Sequence, residues 1–226
     1  MLEQCYEKPE ESMHPVFVAL HETIVATGVP KQLFADLITA FEMDQVVTKH
    51  ESLEALIEYS RFSANPVGRL VLWVSGYRDE ARALLSDKVC TALQLANFWQ
   101  DVVEDWERGR RYLPASEMRR FGVTDEMIAT KKFTPEFHAM MKYLVEYAGA
   151  MLREGGAIAD KVDRELAVTL RLFAQGGRAA LDGVIAQDYD VLMHRPSVSK
   201  ATKAKLLAGA LWGKVASLFS ARGTRP

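Results

Sequence analysis

Apolar positions recur at helical rather than alternating spacing along almost the whole chain. Over residues 15–26, Phe17, Leu20 and Ile24 fall near one face, and Gly28-Val29-Pro30 ends the run. Residues 31–43 place Leu33, Phe34, Leu37, Ile38 and Phe41 at the same spacing. Ser52 is placed to cap a third run through Leu56, Tyr59 and Phe62. Asn65-Pro66 punctuates that run, because the residue before a proline is pushed out of the helical region. Residues 67–74 are short and apolar enough to pass for a strand, but they stand without alternating neighbours or hairpin turns, so the pattern predicts a buried helix. A long helix is predicted over 79–107, ending near Gly109. Residues 110–122 read as irregular, with Pro114 and one short turn after Ser116. Further helices are predicted over 125–131, 135–153, 157–190 and 199–220. Gly155-Gly156 and Gly176-Gly177 lie at or inside helical pattern, where each glycine costs about 1 kcal/mol against alanine; close packing or a kink is the expected reason. No repeat and no low-complexity linker interrupts the pattern. The prediction is one all-α domain over residues 1–226.

Composition narrows the function classes. Lys and Arg total 28 against 30 Asp and Glu, a formal charge of −2, without the basic excess of a nucleic-acid binder. Hydrophobic residues make up 49% of the chain, enough for a core. No apolar run approaches the roughly 18–20 residues of a membrane span. The start, Met1-Leu2-Glu3-Gln4 leading into Glu7, Glu10 and Glu11, has neither the basic beginning nor the apolar centre of a signal peptide and reads as a polar, frayed beginning. Cys5 and Cys90 are too few for a disulfide framework or a zinc site, so a reduced, cytoplasmic protein is expected. The histidines His14, His21, His50, His138 and His194 have no metal-ligand spacing, and no dinucleotide, P-loop or nucleophile-elbow motif occurs.

The informative stretch is 95–114. At about 100° per residue, Asn97, Gln100, Asp101, Glu104 and Asp105 share one stripe, while Phe98, Trp99, Val102 and Val103 take the remaining arc. Spacing alone leaves two readings, a solvated face or the acidic lining of an interior cavity. The apolar girth favours a central helix and hence the second. Two carboxylates about 6 Å apart repel by roughly 3 kcal/mol at an effective dielectric of 20, so such a cavity calls for cations. Carboxylate and amide oxygens suit Mg²⁺, which shares its ligands with substrate phosphates. Arg108, Arg110 and Arg111 follow at once and can fork onto phosphate oxygens. Metal-assisted departure of a diphosphate is the chemistry such a site supports.

The motif Asn97-x-x-Gln100-Asp101-x-x-Glu104-Asp105-x-x-x-Gly109-Arg110-x-Tyr112-Leu113-Pro114 resembles the second aspartate-rich motif of the squalene/phytoene synthase family. Residues 59–68 resemble that family's tyrosine–alanine–glycine helix, Met43-Asp44 its upstream acidic segment, and residues 189–200 its C-terminal signature. Within the family, residues 63–70 and 97–101 are most similar to the bacterial hydroxysqualene synthase branch of hopanoid synthesis. The resemblance implies an isoprenoid (terpenoid) synthase fold, a helical bundle around a central cavity. It also implies a prenyl diphosphate substrate: Mg²⁺-dependent ionisation of presqualene diphosphate, rearrangement of the cation, and capture by water to give hydroxysqualene. By position, Asn97, Asp101 and Asp105 would hold Mg²⁺, Gln100 and Arg110 would face the substrate's diphosphate, and Tyr59 the region of the cation, making Tyr59, Asp101 and Asp105 the catalytic set. The implied functional partners are an enzyme that makes presqualene diphosphate and a flavin-dependent reductase that consumes hydroxysqualene.

Two departures bear on these expectations. The family often has arginine where this chain has Gln100, which removes one phosphate-facing charge and counts against phytoene synthase. Its first aspartate-rich motif would lie upstream of Met1, so the chain reads as N-terminally truncated relative to the family; the alternative readings are a non-catalytic scaffold or partner on the same fold, or a sister enzyme making presqualene diphosphate or phytoene. Asp44 reads as a hydrogen-bond acceptor behind the site or as surface, and Tyr59, from its apolar stripe alone, as a core tyrosine. From Lys200 onward there are six basic residues and no acid, with Leu207, Leu211, Trp212, Val215 and Phe219 on one face. That segment fits either peripheral contact with an anionic membrane or a helix packed on the domain.

Overall fold

The computed structural model describes residues 1–7 and 14–198, together with Ala201, Ala204 and Ala208. Among these the chain is helical throughout: α1 (Leu2–Glu7), α2 (Pro15–Thr27), α3 (Lys31–Met43), α4 (Leu53–Ser63), α5 (Asn65–Val74), α6 (Glu80–Gln100), α7 (Val102–Glu107), α8 (Ala115–Phe121), α9 (Asp125–Ala129), α10 (Pro135–Gly156), a 3₁₀ turn (Ala157–Asp160) and α11 (Arg164–Ala186). The predicted helix over 199–220, with its membrane reading, lies outside the described residues.

Local chemistry explains most boundaries. The Ser52 hydroxyl accepts from the Ala55 amide at the start of α4, and Asp79, Thr124, Thr134 and Asp163 cap α6, α9, α10 and α11 in the same way. Pro66 opens α5 from its first turn, where a missing amide hydrogen costs nothing. The segment 67–74 is therefore helical, as its isolation predicts. Other expectations need correction. The predicted helix over 79–107 is broken at Asp101 (φ −101°, ψ 17°). Residues Ala115–Phe121 form a full helix, α8, where an irregular stretch is expected, because Pro114 starts the helix and Gly122 (φ 78°) ends it. The stretch predicted as one helix over 157–190 opens with a 3₁₀ turn, and its α-helix starts only where Asp163 supplies a cap. The beginning is not frayed over its first residues: α1 buries Cys5 completely, and the Tyr6 hydroxyl donates to the Val29 carbonyl at 2.9 Å.

The main core lies around α6 and α10. Leu56, Leu95, Trp99, Phe137, Met140, Met141 and Leu144 are fully buried there. At the far end of these helices, Leu72, Val89, Leu152 and Ile158 form a second cluster, and α1–α3 close over a third around Cys5, Ile24, Val29 and Leu33. Two glycines set the spacing. A Cβ on Gly155 would stand 2.8 Å from the Leu85 carbonyl oxygen and 2.8 Å from the Val89 nitrogen of α6, and one on Gly177 would stand 2.5 Å from Leu93. Their neighbours Gly156 and Gly176 face open space. Only one member of each pair answers to close packing. Among the described residues no helix is long and apolar enough to cross a membrane.

Candidate active site

The acidic ridge is built where α6 passes into α7. The Asp101 amide still donates to the Asn97 carbonyl at 3.0 Å, and the Asp105 amide to the Asp101 carbonyl at 2.8 Å. The distortion at Asp101 therefore keeps the one-turn spacing that stacks Asn97, Asp101 and Asp105 along one side. Behind them, Phe98, Trp99 and Val102 are buried in the main core. α7 ends in a Schellman turn: Gly109 takes φ 79°, its amide donates to the Trp106 carbonyl, and the Arg110 amide returns to the Asp105 carbonyl at 2.8 Å. A residue with a Cβ is strained in that conformation, and the reversal brings Arg110 back beside Asp105.

The following extended segment is stitched to the α3–α4 connection. The Arg111 amide donates to the Thr48 carbonyl at 2.7 Å, the Ala115 amide to His50 at 3.1 Å and the Ser116 amide to Glu51 at 2.8 Å. This register slides Tyr112 over Phe98, with ring centroids 3.8 Å apart and planes within 7°, and His50 stacks on Tyr112 with centroids 5.6 Å apart. Tyr59, from α4, packs against His50, Phe98 and Tyr112. Its hydroxyl donates to Asp44 Oδ1 at 2.8 Å, and a guanidinium nitrogen of Arg110 donates to the Asp44 carbonyl oxygen at 3.4 Å. Asp44 is thus the acceptor behind the site, not a bare surface acid. Burial, then the Asp44 carboxylate, pushes the Tyr59 phenol far above its ordinary range, so it stays protonated. Burial likewise lowers the pKa of the His50 ring and keeps it neutral.

The ridge is unevenly covered. Asn97 is exposed, while Asp101, Glu104 and Asp105 are half-buried. Burial first, and the Asp101 carboxylate second, push Asp105 up to about 6, against a weaker pull downward from Arg108 and Arg110. Asp101 is paired with Arg195, whose Nε also lies 3.5 Å from Glu104. Among the described residues no three His, Cys, Asp or Glu side chains converge tightly enough to cage a metal by themselves. The hollow beside Asp105, lined by Phe98, Val102, Trp106, Tyr112 and Ile128, has a volume of about 10 Å³, room for one water at most.

Several expected assignments change with these contacts. Arg111 is not free for phosphate: its guanidinium donates to Asp125 at 2.6 Å, shared with Lys49. Gln100 lies not on the open face but buried, its amide nitrogen donating to the Pro196 carbonyl at 3.1 Å. Tyr59 is only 5% exposed, so it touches the site through its hydroxyl on Asp44. Arg195 and the His50–Tyr112–Phe98 stack are absent from the sequence-derived site. Arg195 lies within the C-terminal signature at residues 189–200, and its position there is the one signal that could have found it.

Comparison with known proteins bears on the fold and the family. The family model for squalene/phytoene synthases matches residues 1–202. A hydroxysqualene synthase of Sinorhizobium fredii is 33% identical over 146 residues, covering 64% of this chain and 50% of the relative. A chloroplastic phytoene synthase of Daucus carota is 32% identical over 199 residues, covering 82% and 48%. Among solved structures, the squalene synthase HpnC of Alicyclobacillus acidocaldarius superposes with a TM-score of 0.80 at 37% identity, covering 83% of this chain and 71% of that one. The chain spans about half the length of the curated relatives it matches. With its helical architecture and the ridge motif in place, the chain belongs to the squalene/phytoene synthase family.

Proposed function

We propose that this chain acts on a prenyl diphosphate as a hydroxysqualene synthase-type enzyme, converting presqualene diphosphate to hydroxysqualene with Mg²⁺. The observation that carries the reading is the under-neutralised Asp105 beside Asp101 on a ridge whose far side is bound into the core. Two carboxylates and the Asn97 amide are hard oxygen donors that leave most positions to water and phosphate, which is how Mg²⁺ is ordinarily held. The donor set therefore fits the ion, with Asn97, Asp101 and Asp105 as its holders. When bound, the ion would draw charge from the departing diphosphate.

The chain's own residues would do the rest. Arg110, turned back beside Asp105, presents its guanidinium to the outer phosphate oxygens. Tyr59 fixes the Asp44 side chain, and the Asp44 carbonyl orients Arg110. The His50, Tyr59 and Phe98 rings are buried, so Tyr112, half-buried and stacked on Phe98, is the ring of this cluster that would face a transient carbocation. In balance, the carbon–oxygen bond to diphosphate breaks, the cyclopropylcarbinyl cation rearranges, water adds and one proton leaves. Such an enzyme would take its substrate from a presqualene diphosphate-forming enzyme and hand its product to a flavin-dependent reductase.

A second reading, a phytoene synthase-type reaction, is favoured by the longer stretch over which plant phytoene synthases align. Product analysis separates the two. The protein is incubated with Mg²⁺ and, separately, presqualene, farnesyl or geranylgeranyl diphosphate. Hydroxysqualene from the first supports the proposal, and phytoene from the third supports the rival. No product from any of the three, with the protein folded, overturns the enzymatic reading in favour of a non-catalytic scaffold.

A further inference from the structure

The segment after α11 returns across the ridge. Val191 and Leu192 are each 1% exposed, and Pro196 is buried. The turn into this segment uses two left-handed residues, Asp188 (φ 51°) and Tyr189 (φ 63°), with His138 Nε2 3.2 Å from Asp188. The strap is therefore seated by a specified turn and by packed side chains. Among the described residues of this segment the one Lys or Arg is Arg195, whose guanidinium lies on Asp101 and reaches Glu104. The Arg195 side chain is 46% exposed and makes no other ion pair among the described residues, so solvent alone would leave it free to swing. What fixes the backbone beside it is the buried Gln100 amide on the Pro196 carbonyl. Gln100 is the residue immediately before Asp101, so one position of α6 holds the strap while the next receives its charge.

We propose that Gln100 is a positioning residue that holds Arg195 on the ridge as a built-in counter-cation, to be given up when a divalent ion arrives. This rests on the ridge being the ion's site, as proposed above. The arrangement has a consequence specific to Gln100. A residue that does not face the open side of the ridge should control how tightly the ridge takes a divalent ion, and only as long as Arg195 is present. An amide suits this role because it donates to a carbonyl without adding charge that would repel the ion or attract a second acid. A carboxylate at the same place would face the Pro196 carbonyl with no hydrogen to give.

The test is a double-mutant cycle read by Mn²⁺ binding, with hydrogen–deuterium exchange of residues 191–198 in metal-free protein as the second measurement. Q100M keeps length and burial but loses the donor, and the equally uncharged Q100L takes its place if Q100M does not fold. R195A should tighten Mn²⁺ binding about fivefold, the size of one partly exposed ion pair. Q100M should tighten it in the same direction and speed exchange in the strap, yet change nothing further in the R195A background. An unchanged Mn²⁺ affinity in Q100M beside a tightened one in R195A would overturn the proposal, as would an equal shift in both backgrounds. If the wild type takes no Mn²⁺, the ion reading fails on its own account, and exchange alone then decides the tether: faster in Q100M supports it, unchanged overturns it.

Discussion

A carboxylate that is partly buried one helical turn from another carboxylate works against the fold whenever both are ionised. Asp105 is in that position, with an ordinary value of 3.8 raised to about 6 by burial and by Asp101. Between those values the folded protein holds a proton that the unfolded chain has lost. Stability therefore falls as pH rises from about 4 to about 6, and the penalty is fully present above that window. Asp105→Asn removes it. The variant should melt higher than the wild type above pH 6, by about 1 kcal/mol after allowing for partial exposure, or roughly 2–4 °C, and the gain should vanish near pH 4. Thermal melts of both proteins from pH 4 to 8 check this, and a gain of the same size at every pH would contradict it. A residue retained against stability is expected at a functional site rather than in a scaffold. At this scale the sequence shows which residue types gather on the ridge, because helical spacing is local. It does not show what meets them. Arg195 reaches Asp101 across 94 positions and Tyr59 reaches Asp44 across 15, and no periodicity encodes such pairs.

Among the elements, α6 carries the ridge at its C-terminal end and packs along α10, which comes closest to it near its other end, at Gly155. The glycine pairs allow a controlled comparison. Gly155→Ala would push a methyl group into α6 backbone atoms at 2.8 Å and should destabilise by about 2–3 kcal/mol as the helices part. Gly156→Ala meets nothing within 4 Å and should be neutral or stabilise by up to about 1 kcal/mol through helix propensity. Denaturant unfolding of the two variants tests this, and equal effects would show that the pair acts through backbone freedom rather than contact. The sequence predicts the helices themselves well, since amphipathic spacing, Ser52 and Pro66 act locally. It misses the break at Asp101 and the helix Ala115–Phe121. At Asp101 no proline or glycine marks the distortion, and at 115–121 the flanking turn residues hide a short helix whose Ala115 and Met118 are buried by neighbours distant in sequence.

The molecule as a whole presents a ridge whose inner side is core and whose outer side carries Asn97 in the open. The fold and the family are both legible in the residues alone, because the 97–114 motif combines chemistry and spacing over eighteen positions. The central cavity is not, since a cavity is what packed elements leave between them and no segment specifies it alone. The proposed chemistry depends on that ridge gripping a divalent ion together with a diphosphate. Calorimetric titration of the protein with inorganic diphosphate, with and without Mg²⁺, tests this most directly when Asp101→Asn and Asp105→Asn are run beside the wild type. Saturable binding that requires Mg²⁺ and weakens by at least about tenfold in each variant is the predicted result. Binding that ignores Mg²⁺, or that survives both substitutions unchanged, or that is absent from the wild type, would contradict it.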